Sequence, residues 1–204
     1  ALMRNEEPSL KSPPDVLAIA EKLGRLDDVG RTTRARIAEA VPRAPDDVQI
    51  FINLHAHDLF DETLFATDAP LAASASRVVL EVTERASLEE IKDLPARIAR
   101  LRAQGYRVAI DDLGAGYAGL TSVSALEPDV VKLDMSLVRD VDTNRTKQQL
   151  VSSFCRLCLD LKMELICEGV ETAAERDTLL GLGGDMFQGY FFGRPHRSFE
   201  GVSL

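Results

Sequence analysis

From Val78 onward the sequence alternates short apolar runs with amphipathic stretches, and this alternation constrains the fold more than any other feature. Val78-Val-Leu-Glu-Val82 reads as a strand, residues 88–104 as a helix closed by Gly105, and Arg107-Val-Ala-Ile-Asp111 as the next strand. Asp129-Val-Val-Lys-Leu-Asp134 continues the series. A helix over 146–161, a strand over 163–167, a helix over 173–181 and an apolar segment over 186–192 complete it. Upstream, apolar residues recur at helical spacing over 14–26 and 29–40. Val48-Gln-Ile-Phe-Ile-Asn-Leu54 then reads as a strand, with a helical or irregular stretch through Phe65. Strands alternating with helices specify a parallel sheet. At 204 residues, a single α/β domain over 1–204 is the expected organisation, since closed barrels of this kind commonly run to about 250 residues.

Parallel strands covered on both faces should be almost uniformly apolar. Here Asn53, Glu81, Asp111, Lys132 and Glu168 each stand at or near the C-terminal end of a different apolar run, where an uncompensated polar group is costly to bury. Helix capping accounts for such residues singly, but Glu and Lys are poor caps, so it does not account for the set. In a (β/α) barrel the carboxyl ends of the strands converge on one mouth, which would gather these five residues into one site.

Carboxylates with one amide oxygen, and no histidine at these strand ends, form a hard-oxygen donor set suited to Mg²⁺ or Mn²⁺ rather than zinc. Adjacent Asp111 and Asp112 would serve two ions, or one ion and a water, and Lys132 adds a local cation. The net charge of −9 argues against binding a nucleic-acid polymer, because such binding requires lysines and arginines to neutralise phosphates. A small anionic ligand then requires a metal or a few placed cations.

Three other motifs have ordinary readings. Gly114-Ala-Gly-Tyr-Ala-Gly119 matches GxGxxG after a strand, but the two preceding aspartates would repel a pyrophosphate and no long helix signal follows, so it reads as a flexible loop beside a metal site. His55 and His57 have ligand-like spacing, yet read more simply as the start of the loop after Asn53. Cys155 and Cys158 form a CxxC within a helical pattern, with neither a second CxxC nor a nearby histidine, and read as buried helix-face thiols. With Cys167 they suit a reducing, cytoplasmic compartment. No apolar run approaches the roughly 20 residues of a membrane span, so no membrane insertion is expected in this segment.

The strings Leu80-Glu-Val-Thr-Glu84, Asp111-Asp-Leu-Gly-Ala-Gly-Tyr117, Val131-Lys-Leu-Asp134, Glu168-Gly-Val-Glu171 and Gln188-Gly-Tyr190 resemble, in order, the motifs of the EAL-domain phosphodiesterases, which hydrolyse cyclic di-GMP to the linear dinucleotide pGpG. The resemblance runs from the first residues to Pro195. It implies a TIM-like (β/α)8 barrel of the EAL variant and catalysis by metal-activated water, with one or two Mg²⁺ or Mn²⁺ ions. Its implied metal ligands are Asn53, Glu81, Asp111, Asp112 and Glu168. Lys132 would orient the attacking water, and Arg4, Asp134 and Gln188 would hold the nucleotide. Glu171, with Gln188, would stand behind the ligands or hold metal-bound water, and Glu84 would brace the loop over 114–120.

The resemblance further implies a homodimer and an attached N-terminal regulatory domain in a larger signalling protein. The sequence opens Ala1-Leu2-Met3-Arg4, one residue past the glutamate that names the family and serves there as a metal ligand. Leu113, Ala118 and Gly119 also depart from the family's loop pattern, which has Phe at the first position and serines at the other two. The competing expectation is an inactive EAL domain that acts as a cyclic di-GMP receptor or a protein-interaction module.

Overall fold

The computed structural model describes residues 12–83, 88, 91–116 and 119–196, so the expectations for Arg4, Glu84, Tyr117 and Ala118 lie outside the described residues. The chain divides into two compact units, residues 1–82 with 86–107 and residues 83–85 with 108–204.

The first unit contains helices α1 (Pro13–Lys22), α2 (Leu26–Ala40) and α3 (Leu94–Ala103) and strands β1 (Ile50–Asn53) and β2 (Val78–Thr83). Helix α1 starts on a capping box: the Ser12 hydroxyl accepts from the Asp15 amide, and the Asp15 carboxylate accepts from the Ser12 amide at 2.9 Å. It stops before the predicted 26 because Gly24 turns into the left-handed region at φ +64° and the Arg25 amide bonds back to the Ala20 carbonyl. The helix predicted from residue 88 begins at Leu94 instead, because Asp93 is left-handed at φ +56° and Pro95 fits only the first turn of a helix. Strand β1 is shorter than the predicted 48–54, since the Val48 amide is spent on a turn to the Pro45 carbonyl. β1 and β2 pair in parallel with Asn53 opposite Glu81, and Ile52, Leu59, Leu64, Leu80, Ile98 and Leu101 are buried in this unit.

A buried ionic network ties α2 to the stretch after β1. Arg34, 6% exposed, donates to Asp58 Oδ1 and Asp61 Oδ2 at 2.6 Å each, and Arg31 forks onto Asp61 at 2.8 and 3.0 Å. A Cβ at Gly30 would lie 1.9 Å from Asp58 Oδ1, so α2 carries glycine there to admit the pair. The Arg31 guanidinium bonded to Asp61 holds its carboxyl far below the usual carboxylate range, against the opposing effect of burial.

A native carboxyl held low contributes stability that is present above its unfolded pKa of about 3.9 and is lost as pH falls toward the folded value. Asp61→Asn therefore lowers stability at pH 7 by about 3–5 kcal/mol, as expected when one member of a buried ionic cluster is removed. Urea unfolding at pH 7 and near pH 3 checks this: the gap between parent and variant narrows in acid, and a gap independent of pH refutes the assignment.

The second unit contains β3 (Arg107–Leu113), α4 (Gly119–Leu126), β4 (Val130–Leu133), α5 (Met135–Val138), α6 (Arg145–Leu161), β5 (Glu164–Glu168), α7 (Ala173–Gly181) and β6 (Met186–Gln188). β4 pairs in parallel with β3 and β5, and β5 with β6. The core joins Ile110, Leu113, Val131, Leu133, Leu165 and Cys167 of the strands to Val123, Val151, Cys158 and Leu179 of the helices. α7 occupies the predicted residues, and α6 starts one residue early on the Asn144 cap. Helix α4 follows the glycine loop but is short, in keeping with the expectation that no long helix opens there. It is only eight residues long, and its Gly, Thr and Ser content weakens the helical signal.

Candidate metal centre

Strand register places Lys132 and Glu168 on one face. Lys132 pairs with Ile166, and Glu168, two residues further along β5, points to the same side as Ile166. Ile110 pairs with Val131, so Asp111 stands beside Lys132. Lys132 Nζ lies 2.9 Å from Asp111 Oδ1 and 2.7 Å from Glu168 Oε1, with the three side chains 5%, 13% and 14% exposed. A lysine in the middle of a buried strand is thus compensated by two carboxylates.

Asp112 would face the opposite side under strict alternation. The strand was predicted to end at Asp111; instead it continues to Leu113 through a bulge, in which three residues on β3 advance against two on β4, and Asp112 adopts the left-handed region at φ +59°. The Asp134 amide then bonds to the Leu113 carbonyl at 3.0 Å, restoring the ladder. The bulge turns Asp112 so that oxygens of Asp111, Asp112 and Glu168 all lie within 4.8 Å of one another. A non-glycine residue held left-handed is strained by about 1–2 kcal/mol. Here that strain brings a third carboxylate to the cluster.

This donor set suits a hard divalent cation. The ligands are all oxygen, and all lie within 4.8 Å of one another, under twice the longest metal–oxygen distances of about 2.4–2.6 Å. Three carboxylates against one ammonium leave a formal charge of −2 (three minus one), which one divalent ion cancels. Asp111, Asp112 and Glu168 would hold it, beside Lys132.

The remaining expected site residues stand as follows. Glu81 is buried within β2, two residues before its end, 4% exposed, with Asn53, which is exposed, beside it in register. Gln188 is exposed and pairs with Glu168 across β5 and β6. Asp134 caps α5, accepting from the Ser136 amide at 2.9 Å. Glu171 is forked by Arg139, whose guanidinium holds the Glu171 carboxyl below its usual range. His55 caps a short 3₁₀ turn, accepting the His57 amide on Nδ1, and His57 Nε2 faces Asp27 at 3.2 Å. The histidines therefore take the ordinary reading. The three cysteines are free, and burial pushes Cys158 up to about 11 and Cys167 up to about 12, so these thiols are poor ligands and nucleophiles.

Two residues that the sequence reading did not single out bond to Glu171: Arg139 and the buried Glu175. The spacing Thr172-x-x-Glu175 is a capping-box signal that marks the second of them.

Comparison with known proteins identifies the family. The model of the EAL domain matches residues 1–195, and the chain belongs to that family. The cyclic di-GMP phosphodiesterase PdeF of Escherichia coli strain K12 is 30% identical over 201 residues, covering 95% of this chain and 27% of PdeF. Among solved structures, the manganese and cyclic-diGMP complex of Klebsiella pneumoniae BlrP1 at pH 6 matches with a TM-score of 0.82 at 34% identity, over 96% of this chain and 50% of BlrP1. A standalone EAL protein of Vibrio cholerae O395 in its c-di-GMP-bound form matches with a TM-score of 0.77 at 26% identity, over 100% of this chain and 87% of that one. The fold class is accordingly the α/β, TIM-like barrel of the EAL domain. The chain spans about a quarter of PdeF and half of BlrP1. Among the described residues, no helix is long and apolar enough to cross a membrane.

Proposed function

We propose that this chain is a metal-dependent phosphodiesterase domain that hydrolyses cyclic di-GMP to linear pGpG. The observation that carries the reading is the convergence of Asp111, Asp112 and Glu168 around Lys132 in a chain of the EAL family. Asn53 and Glu81 complete the ligand set in this reading. Their support is their place opposite one another, Asn53 at the end of β1 and Glu81 near the end of β2, and the manganese complex of the related BlrP1. Mg²⁺ or Mn²⁺, as one or two ions, suits all-oxygen donors.

A cation held there acidifies water and neutralises charge at phosphorus. The chain's own groups supply orientation. Lys132 is fixed by Asp111 and Glu168, so its ammonium can donate to the attacking water or a phosphate oxygen without reorganising. In this reading Asp134 and Gln188, with Arg4, bind the nucleotide, and Glu171 stands behind the ligands. The enzyme works as a homodimer in the cytoplasm, governed by an attached N-terminal domain; three free thiols accord with that compartment.

Incubating the chain with cyclic di-GMP and Mg²⁺ or Mn²⁺, with and without a glutamate placed before Ala1, tests the proposal. Linear pGpG should form only when metal is present, and faster when the glutamate precedes Ala1. Tight nucleotide binding without product under every condition replaces the enzyme with a cyclic di-GMP receptor.

A further inference from the structure

The loops that follow β4 and β5 are joined at three points. Arg139, just after α5, forks onto Glu171, with Nη1 to Oε2 at 2.6 Å and Nη2 to Oε1 at 2.7 Å. The Arg139 carbonyl accepts from Lys147 Nζ of α6 at 2.6 Å, which fixes the backbone from which the guanidinium extends.

Glu175, 2% exposed, forms the second point. Its Oε1 accepts the Asp140 amide at 3.1 Å, and its Oε2 accepts the Glu171 and Thr172 amides at 2.9 and 3.1 Å. Burial pushes this carboxyl up, but the backbone N–H groups of Glu171, Asp140 and Thr172 outweigh it and hold the group below its usual range. The third point is steric. Gly169, left-handed at φ +72°, approaches Met135 so closely that a Cβ there would lie 2.5 Å from Met135 Cβ.

One side of this clasp is continuous with Lys132 and Asp134, and the other with Glu168. The β4–β5 ladder ends at Leu133 and Cys167, so Glu168 lies just past it, where a clasp between the two loops can act on its position 2.7 Å from Lys132. We propose that Arg139 and Glu175 are positioning residues for the metal centre, clasping the two loops so that Glu168 is held at its ligating position beside Lys132. The inference rests on the phosphodiesterase reading for its effect on turnover, and on the oxygen cluster alone for its effect on metal binding. The Arg139–Glu171 pair is about a third exposed on each side, and pairs that open to water contribute little to folding. Its main consequence is therefore geometric.

Arg139→Ala and Arg139→Lys separate position from stability. Mn²⁺ affinity is read by electron paramagnetic resonance of free Mn²⁺, turnover is split into kcat and KM for cyclic di-GMP, and the thermal midpoint is followed in parallel. Arg139→Ala should weaken Mn²⁺ binding and lower kcat by about tenfold or more, the range expected for groups that orient metal ligands, with KM and the midpoint little changed. Lysine keeps the charge but cannot fork, so Arg139→Lys should recover only part of the loss; it also carries the test if alanine prevents folding. A parent that binds Mn²⁺ while Arg139→Ala matches it within about twofold in affinity and kcat overturns the clasp and leaves the enzyme reading standing. A parent that binds Mn²⁺ but makes no linear product removes the enzyme reading, and the affinities still decide the clasp. A parent that binds no Mn²⁺ overturns both.

Discussion

Glu168→Gln lowers cyclic di-GMP turnover by at least about a hundredfold while leaving the fold intact. Glutamine has nearly the volume of glutamate and keeps one oxygen able to accept from Lys132, so the 2.7 Å contact and the packing around β5 have no reason to fail. What the change removes is charge. The cluster of Asp111, Asp112 and Glu168 against Lys132 falls from −2 to −1, and one of three oxygen ligands becomes a neutral amide. A hard cation gains most of its binding from anionic oxygens, so affinity and rate fall together. The assay is linear pGpG formed at saturating Mn²⁺, with a urea unfolding curve as the control for the fold. Near-normal turnover would remove Glu168 from the metal centre. The same result accompanied by lost stability would make it a structural partner of Lys132 instead.

How much of this was legible before any coordinates depended on the range of the interactions concerned. The succession of strands and helices was readable because it rests on local periodicity: α7 lies where its spacing places it, and Lys132 interrupts an otherwise apolar four-residue strand. The candidate site residues stood out for a related reason, since charges inside buried strands contradict the pattern around them. The bulge at Asp111 and Asp112 was not legible. An extra residue in a ladder changes which face a side chain takes, yet it leaves the order of apolar and polar residues unaltered.

Long-range ionic contacts were hidden as well. Arg34 meets Asp58 and Asp61 from 24 and 27 residues away, on a helix whose sequence reads as simply amphipathic. Glu175 announces itself locally as a helix cap, but its bond to the Asp140 amide, 35 residues upstream, becomes visible only when the two loops are brought together. The histidine pair shows the reverse error to guard against: spacing alone suggested ligands, and local backbone hydrogen bonding occupies His55 Nδ1.

Asp112→Asn has opposite effects on stability in the absence and in the presence of metal. Asparagine tolerates the left-handed region as well as aspartate does, so the bulge at φ +59° carries no added strain. Without metal, the exchange removes one of three crowded negative charges facing a single ammonium, and the thermal midpoint should rise by about 2–4 °C for each kcal/mol of repulsion relieved. With metal the sign reverses. At an Mn²⁺ concentration of about 100 times its dissociation constant, the parent gains about 2.7 kcal/mol from binding. The variant has lost an anionic ligand and gains less than half of that at the same concentration, so its midpoint drops below the parent's where the repulsion relieved is under about 1.4 kcal/mol. Thermal melts with chelator and with Mn²⁺ therefore cross. If Asp112→Asn leaves the Mn²⁺-induced shift unchanged, Asp112 is not a ligand. If the metal-free midpoint falls instead of rising, Asp112 serves as a structural contact of the bulge, and the strain of the bulge serves the strand rather than the metal.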